Sequence, residues 1–493
     1  MPERGPTPLL RHLRPGIPAP GAAADTSLAA QGALSTLGII VQGAVRFLFS
    51  VLVGNVLGKV VLGAANAAIS LSLFASLLQP SAAASSATKF VARARGAGDL
   101  RLAEAITAHL VRRTAVAALL LGAGAALSAP WLLDLDWRQG LLTGALVIVY
   151  SGYMFLRGVL FGAGQVPRAT VWDIVSSAIS LAALALVLWG RAQDLVLVPL
   201  IIGYGVYVAA NLPGRVRGSL DPALVKEING FVLLTLANGV AVGGFLQLSM
   251  VVARFFDASG AGAYAAALAL ATPASLVSRS LSLVLFPSLS AAYGRGDHEG
   301  VRRQTDLSTR ALVVISMGTF GPLMLLSPAL IRLFFPRAEF EEAAAILPVL
   351  LVAVMVLNVV IGATNTLLTR EQEHARKVLV ASIAGACVGL LAWVTTVPAF
   401  GVMAVAVGYL LGSLVMAVVP AVIAWRLERL HWGWMWGRLV LAGIVAGLLC
   451  WWEQSRELGV PTQIGLAVAF GLGWLTLSWP DVRTTADLVR RRG

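Results

Sequence analysis

Three arginines lie inside long apolar runs of the sequence, where a charge is costly. Arg46, Arg157 and Arg279 each interrupt a run of aliphatic and small residues. Charged groups at membrane depth mark substrate or ion pathways more often than chance would. A guanidinium group also pairs with phosphate through its planar fork of donors. These residues therefore predict binding of an anion, with a phosphate group the best match.

The three arginines differ in how well a purely structural role, such as snorkelling or a bond to a neighbouring helix, explains them. Arg46 lies towards one end of its run, so lining a pathway and snorkelling to the membrane surface both remain open. Arg279 lies deeper, which favours a cavity over its alternative, a structural bond to a neighbouring helix. Arg157 precedes Asp173, which begins the next apolar run. We expect a local Arg157–Asp173 pair or snorkelling more than substrate contact.

Uncharged polar residues extend this set. Gln42 stands one helical turn before Arg46, and Gln247 lies in a later run. Each could be a satisfied interhelical hydrogen bond. Together they fit a hydrated, positively charged cavity. The predicted substrate-binding residues are Gln42, Arg46, Gln247 and Arg279, and the sequence predicts no catalytic residue, metal site or cofactor.

The elements that must position these residues are membrane helices. The chain has 493 residues, of which 58% are hydrophobic and 12% charged. A soluble domain is nearer 45–50% apolar and about 25% charged. This composition excludes a water-soluble globule, a disordered protein and a disulfide scaffold. Backbone polar groups cannot stay unpaired in lipid, so the apolar runs predict an all-α polytopic membrane protein with about fourteen transmembrane helices. The predicted spans include residues 141–163, 171–189, 262–290, 378–394 and 402–424.

Charge predicts the orientation of these spans. Most of the 37 lysines and arginines fall in the two tails and alternate loops, which the positive-inside rule assigns to the cytoplasm. The opposite loops are short and carry acids, such as Glu339 and Glu342, with a few cations such as Lys59 and Arg337. The net charge of +13 is thus explained by membrane topology and does not indicate nucleic-acid binding. Both termini are predicted to be cytoplasmic.

An internal repeat suggests how the spans are organised. The segment Leu62–Ala68 resembles Ala261–Ala267, and each is followed at nearly the same distance by Gly-Asp. Chance in a chain rich in alanine, glycine and leucine is the alternative. Copies separated by six spans would make two parallel six-helix lobes, a transporter architecture. The predicted division is a disordered tail (1–26), an N-lobe (27–213), a cytoplasmic linker (214–228), a C-lobe (229–425), two C-terminal helices (426–479) and a tail (480–493).

Enzyme chemistry has little support in the sequence. There is no P-loop and no HExxH motif, and no Cys/His cluster has metal-ligand spacing. An extracytoplasmic enzyme usually needs a sizeable outer loop, and the predicted outer loops are short. We therefore expect a protein that is not an enzyme.

Several short motifs resemble those of a known family. They are Leu57-Gly58 before Gly63, Lys89-Phe90-Val91-Ala92, Gly98-Asp99, the run Gly262–Ala267, and Leu285-Phe286-Pro287-Ser288. The chain is similar in these to the polysaccharide-biosynthesis and oligosaccharide-lipid flippases of the multidrug/oligosaccharidyl-lipid/polysaccharide (MOP) exporter superfamily. The last two spans resemble the fourteen-helix members, which include lipid II flippases.

The resemblance implies a function, and the sequence departs from the family pattern at two places. It implies a plasma-membrane flippase that moves an isoprenoid-pyrophosphate-linked saccharide from the inner to the outer leaflet, with membrane lipids and glycosyltransferases or a polymerase as partners. Many relatives carry an acid near Gln247. Lipid II flippases tend to have an arginine where this chain has Ala267-Leu268. An ion-coupled drug exporter and a membrane-embedded glycan polymerase or ligase remain as alternatives.

Overall fold

The fold is known from a computed structural model of the chain. It describes residues 28–213, 219–273, 289, 293, 296–369, 372–456 and 458–490. Within these ranges all regular secondary structure is helical and there is no strand. The predicted class, an all-α polytopic membrane protein, is confirmed. The predicted disordered tail, residues 1–26, lies outside the described residues.

The chain forms two compact units that do not follow the predicted lobe boundaries. The first unit contains the chain up to Val45 together with Ala67–Leu248, and the second contains Arg46–Asn66 together with Ser249–Gly493. The hairpin 46–66 thus packs with the second unit, although the flanking chain belongs to the first. The division into two parallel transport lobes stays a prediction.

The helices of the first unit are long and mostly apolar. One helix begins at Pro222, inside the predicted linker 214–228, because the Asp221 side chain accepts a hydrogen bond from the amide of Ala223 and proline fits the first helical turn. The helices are α1 (Leu28–Leu57, whose second half joins the second unit), α2 (Lys59–Leu78, whose first turns do so too), α3 (Pro80–Gly96), α4 (Leu100–Leu133), α5 (Trp137–Gly162), α6 (Val166–Trp189), α7 (Val198–Asn211), α8 (Pro222–Gly239) and α9 (Phe245–Phe256, whose last turns belong to the second unit).

The second unit contains the helices that follow α9. They are α10 (Ala261–Ala271), α11 (His298–Leu325), α12 (Ser327–Phe334), α13 (Ala343–Val359), α14 (Ile361–Thr369), α15 (Gln372–Leu427), α16 (Gly433–Arg456) and α17 (Val460–Arg490). The last of these continues into the predicted C-terminal tail.

Twelve helices in the described ranges are long and apolar enough to cross a membrane. Two features account for the difference from the fourteen predicted spans. The helix α15 contains two of them, and Gly401 lies between them with a non-helical backbone (φ 56°, ψ −143°). The predicted span 262–290 is described only over α10 and the residues just after it. The chain is therefore a multi-pass membrane protein.

The two C-terminal helices are joined to α11 by buried charges. Asp481 of α17 binds Arg438 of α16 at 2.5 Å and Arg310 of α11 at 2.6 Å. Arg310 also binds Asp306 at 2.9 Å, and that carboxylate accepts a hydrogen bond from the Trp432 indole at 2.7 Å. Because these charges are paired and hydrogen-bonded, their burial is tolerated. The network fixes α16 and α17 within the second unit.

The two copies of the sequence repeat meet within the second unit. A Cβ atom on Gly63 would lie 2.7 Å from the amide nitrogen of Gly262, and one on Gly262 would clash with the carbonyl oxygen of Lys59. Only glycine lets the backbones of α2 and α10 approach so closely. The matching glycines of the repeat therefore have a shared packing reason.

Substitution of Gly262 by alanine is expected to destabilise the protein by about 1–3 kcal/mol, because the new methyl group would force the α2 backbone aside. The measurement is the unfolding temperature of the purified protein in detergent. Gly443→Ala is the matched control, since a Cβ there meets nothing within 4 Å and should change stability by no more than about 1 kcal/mol. Equal stability of the two variants would contradict the close approach.

Candidate functional site

The structure describes three of the four predicted substrate-binding residues. Gln42 and Arg46 lie one turn apart on α1, Gln42 in the first unit and Arg46 in the second, and both are partly buried. Gln247, on α9, is partly buried in the first unit. Arg279 lies outside the described residues. The assignment of these four residues to substrate binding stays a prediction.

A buried polar cluster occupies the first unit next to Gln42. The guanidinium of Arg157 donates to Asp173 Oδ2 at 3.0 Å, and the Tyr153 hydroxyl donates to Asp173 Oδ1 at 3.0 Å. The Gln42 amide donates to Ser177 Oγ at 3.1 Å and to the carbonyl oxygen of Asp173 at 3.5 Å. The Asp173 side chain is fully buried. The Arg157–Asp173 pair expected from the sequence is present, and Gln42 is bound to the same helix.

The first half of α1 lies directly against this ion pair. A Cβ atom on Gly38 would be 2.6 Å from Asp173 Oδ2 and 3.3 Å from a guanidinium nitrogen of Arg157. One turn earlier, the carbonyl oxygen of Leu34 accepts a hydrogen bond from the Thr170 hydroxyl at 3.0 Å. Glycine at position 38 thus lets the α1 backbone cover the charges. The cluster joins α1, α5 and α6 within the first unit.

Tyrosines enlarge the cluster in a way that the sequence analysis missed. Tyr150 and Tyr153 on α5 meet Tyr204 and Tyr207 on α7, with ring centroids 4.7–5.1 Å apart between the two helices. The available signal was the i, i+3 spacing on each helix, which puts two rings on one face. The Tyr207 hydroxyl is buried without a hydrogen-bond partner among the described residues. These four rings form an aromatic side of the cluster.

A second set of polar contacts holds the hairpin 46–66 within the second unit. Here the side-chain amide of Asn55 donates to the carbonyl oxygen of Phe334 at 2.8 Å. Lys59 binds Glu342 at 2.8 Å through its ammonium group and Glu339 Oε1 at 3.1 Å through its backbone N–H. Arg337 donates to the carbonyl oxygen of Val56 at 3.2 Å. We call these five side chains, Asn55, Lys59, Arg337, Glu339 and Glu342, the clasp.

Gly58 makes the tight join between α1 and α2 at the clasp. Its backbone has φ +95°, a region that side chains rarely adopt, and a Cβ there would lie 3.2–3.3 Å from Arg337 and Glu339. The charge distribution predicts that the clasp is on the outer face. Its contacts are two ion pairs, hydrogen bonds and a turn, which can separate without any covalent change.

One cavity of the second unit is purely apolar. It has a volume of about 390 Å³ and is lined by Gly318, Pro322 and Leu326 of the α11 region and by aliphatic residues and glycine of α17. None of the lining side chains can donate a hydrogen bond to a phosphate. No group of three His, Cys, Asp or Glu side chains in the described residues could hold a metal ion. This cavity therefore offers a charged headgroup no side-chain hydrogen bond.

Solved structures of low sequence identity share this fold. A lipid II flippase MurJ in an inward closed conformation matches with a TM-score of 0.65 and 13% identity over 91% of this chain and 99% of that chain. An inward-facing multidrug resistance MATE family transporter of the MOP superfamily matches with a TM-score of 0.64 and 15% identity, over 80% and 98%. At such identities the likeness concerns the fold alone.

The family model described as Lipid II flippase MurJ matches residues 158–462, more than half of the sequence. The chain belongs to the MurJ family. The resemblance to MOP-superfamily flippases that the short motifs indicated is thereby confirmed. Ala267-Leu268, which departs from the lipid II flippases, lies inside the matched region and does not take the chain out of the MurJ family. No curated protein matches the chain by sequence.

The MurJ match covers some of the candidate residues and not others. It includes Asp173, Gln247 and Arg279, and it begins after Gln42 and Arg46. The hairpin 46–66 also precedes it. The features of α1 and of the hairpin 46–66 therefore rest on the contacts of this chain and not on the MurJ model.

Proposed function

We propose that this protein moves a saccharide precursor, linked through pyrophosphate to an isoprenoid lipid, from the inner to the outer leaflet of the cell membrane for cell-surface polysaccharide synthesis. The observation that carries the proposal is the match of residues 158–462 to the lipid II flippase family. The multi-pass helical fold supports it. In this role the protein is a transporter and catalyses no bond change.

The physical problem is the headgroup. An unpaired ion placed in a medium like hydrocarbon costs tens of kcal/mol by Born solvation, so a pyrophosphate cannot cross unaided. Arginine side chains replace lost hydration by forked hydrogen bonds to phosphate oxygens. The isoprenoid tail needs no such help and stays in the bilayer. We assign Arg46 and Arg279 to the phosphates and Gln42 and Gln247 to neutral polar contacts.

The sidedness of the proposal follows from charge. Lysines and arginines concentrate in the tails and alternate loops, so both termini are cytoplasmic in this proposal and the clasp is outside. Transport then requires alternating access, with the clasp closed while substrate enters from the cytoplasm and open while it leaves. Glycosyltransferases that make the precursor and a polymerase that consumes it are the proposed pathway partners.

One observation favours a second candidate, an ion-coupled drug exporter. The multidrug MATE transporter fold matches almost as well as the MurJ fold, with TM-scores of 0.64 and 0.65. Such an exporter would need a membrane carboxylate that exchanges its ion, and Asp173 does not fit that role, because Arg157 and Tyr153 hold it. Depletion of the protein separates the two candidates. A flippase leaves a lipid-linked intermediate accumulating on the cytoplasmic face, and a drug exporter does not.

Arg46→Ala and Arg279→Ala are each expected to lower transport about ten- to a hundredfold, because a hydrogen bond to a charged group contributes about 1.5–3 kcal/mol. The measurement is transfer of the accumulated lipid-linked intermediate to the outer leaflet in cells, at membrane protein levels matched to the wild type. Arg138→Ala, at an exposed position in the first turn of α5, is the control and should transport normally. Normal transport by both test variants would remove these two residues from the site while leaving the flippase proposal itself standing.

A further inference from the structure

A buried acid in the second unit has no role in the proposed site. Glu453, near the end of α16, is 1% exposed, and neither carboxyl oxygen has a hydrogen-bond partner among the described residues. Asp173 and Asp481, two other buried acids, are each bound by arginine. Glu453 is therefore set in a different environment from both.

The elements packed around Glu453 offer it almost no charge. The second half of α11, from Ala311 to Leu325, has no titratable side chain, and neither has α13 or the part of α17 before Asp481. Arg332 of α12, which is exposed, is the charged group that acts on Glu453. Glu341 and Glu342, just before α13, are exposed.

On α16 itself, Arg456 lies three residues after Glu453 and is exposed, and the side chains that bind nearby are neutral. Cys450, one turn before Glu453, donates through its thiol to the carbonyl oxygen of Met324 at 3.7 Å. Gln454 uses its amide on the carbonyl oxygen of Ala344 at 3.4 Å and on the Cys450 sulfur at 3.5 Å. No donor from this shell turns to the Glu453 carboxyl.

This environment favours the protonated, neutral form of the Glu453 carboxyl. A buried carboxylate with no hydrogen-bond donor loses its hydration without compensation, whereas the neutral acid avoids most of that cost. No group of three metal-ligating side chains exists in the described part of the chain. Arg332 is exposed and lies close enough to act on the carboxyl, so we expect any proton exchange on that side.

We propose that Glu453 is a proton-binding site of the second unit, which exchanges its proton with the face of the membrane where Arg332 lies. Ionisation would place an unpaired charge beside the Cys450–Met324 contact and weaken the seating of α16 against α11. The site stands apart from Gln42, Arg46, Gln247 and Arg279. The proposal does not depend on which substrate the protein moves.

The test is labelling of the wild-type protein with dicyclohexylcarbodiimide, which adds to protonated carboxyls in apolar surroundings, followed by peptide mass mapping. We expect an adduct on Glu453 in mildly acidic buffer that declines with rising pH, by about tenfold for each unit once the group ionises. Asp481 is the internal control, because it is equally buried but paired with two arginines, and it should stay unlabelled.

Infrared spectroscopy gives the deciding measurement. Wild-type protein should show the carbonyl band of a protonated carboxyl that disappears with rising pH, and Glu453→Gln should lack that band. Because labelling uses the wild-type chain, it still identifies the residue if the variant does not fold. Absence of the band from wild-type protein, or equal labelling of Glu453 and Asp481, would overturn the proposal.

Discussion

A covalent bridge across the clasp is expected to stop transport. With Lys59 and Glu342 both changed to cysteine, in a chain carrying Cys387→Ser, a short bifunctional thiol reagent with reducible links should join the two positions, whose native side chains are 2.8 Å apart. The hairpin 46–66 then cannot leave the rest of the second unit. Transfer of the lipid-linked substrate should fall to the level of protein-free membranes, and reductant should restore it.

The chain offers a matched control for this experiment. Lys377 and Glu373 form a similar ion pair, at 2.7 Å, but within the single helix α15. A bridge between cysteines at those positions ties no two elements together and should leave transport unchanged, as should the reagent on each single-cysteine variant. Full transport by protein shown to be bridged across the clasp would mean that the clasp need not open.

Loss of Arg157 is expected to destabilise the first unit by about 3–5 kcal/mol, the range found when a buried ion pair loses one partner. In Arg157→Met the aliphatic stem is kept, but Asp173 remains fully buried with Tyr153 as its remaining side-chain donor. The measurement is the unfolding free energy in detergent micelles, supported by the amount of folded protein in the membrane.

The paired substitution distinguishes the charge from the packing. In Arg157→Met/Asp173→Leu no charge remains buried, so stability should return most of the way to the wild-type value. Arg138→Met, at an exposed position, should change the unfolding free energy by less than about 0.5 kcal/mol. A double variant as unstable as Arg157→Met alone would mean that the uncompensated charge was not the cause.

The fold class was predictable because lipid leaves the backbone few choices. Long apolar runs without interruption can satisfy their N–H and C=O groups only as helices, and α5 and α6 follow the runs predicted over 141–163 and 171–189 closely. The helix α4 ends with its predicted run but begins fourteen residues before it, at Leu100. The join inside α15 was less predictable. Gly401 joins two predicted spans through a non-helical backbone and without a polar loop, so no change of composition marks the point where one helix gives way to the next.

Contacts over long sequence separation limited prediction of the site. The Arg157–Asp173 pair was predictable, since two opposite charges flank one short connection between spans. The bond from Gln42 to Ser177 was not, because nothing in either segment specifies the partner of an uncharged amide. Lys59, Glu339 and Glu342 were recognised as loop charges, but their pairing depends on how the hairpin 46–66 folds onto a segment almost three hundred residues away.

The crossing of Gly63 and Gly262 has an evolutionary consequence. Each copy of the repeat contributes one glycine to the same backbone crossing, so the two segments cannot diverge independently at that point. A methyl group gained by one copy cannot be accommodated by trimming the other, which already has no side chain to lose. If the halves arose by duplication of an ancestral gene, this pair of positions was constrained from the moment the duplicate existed.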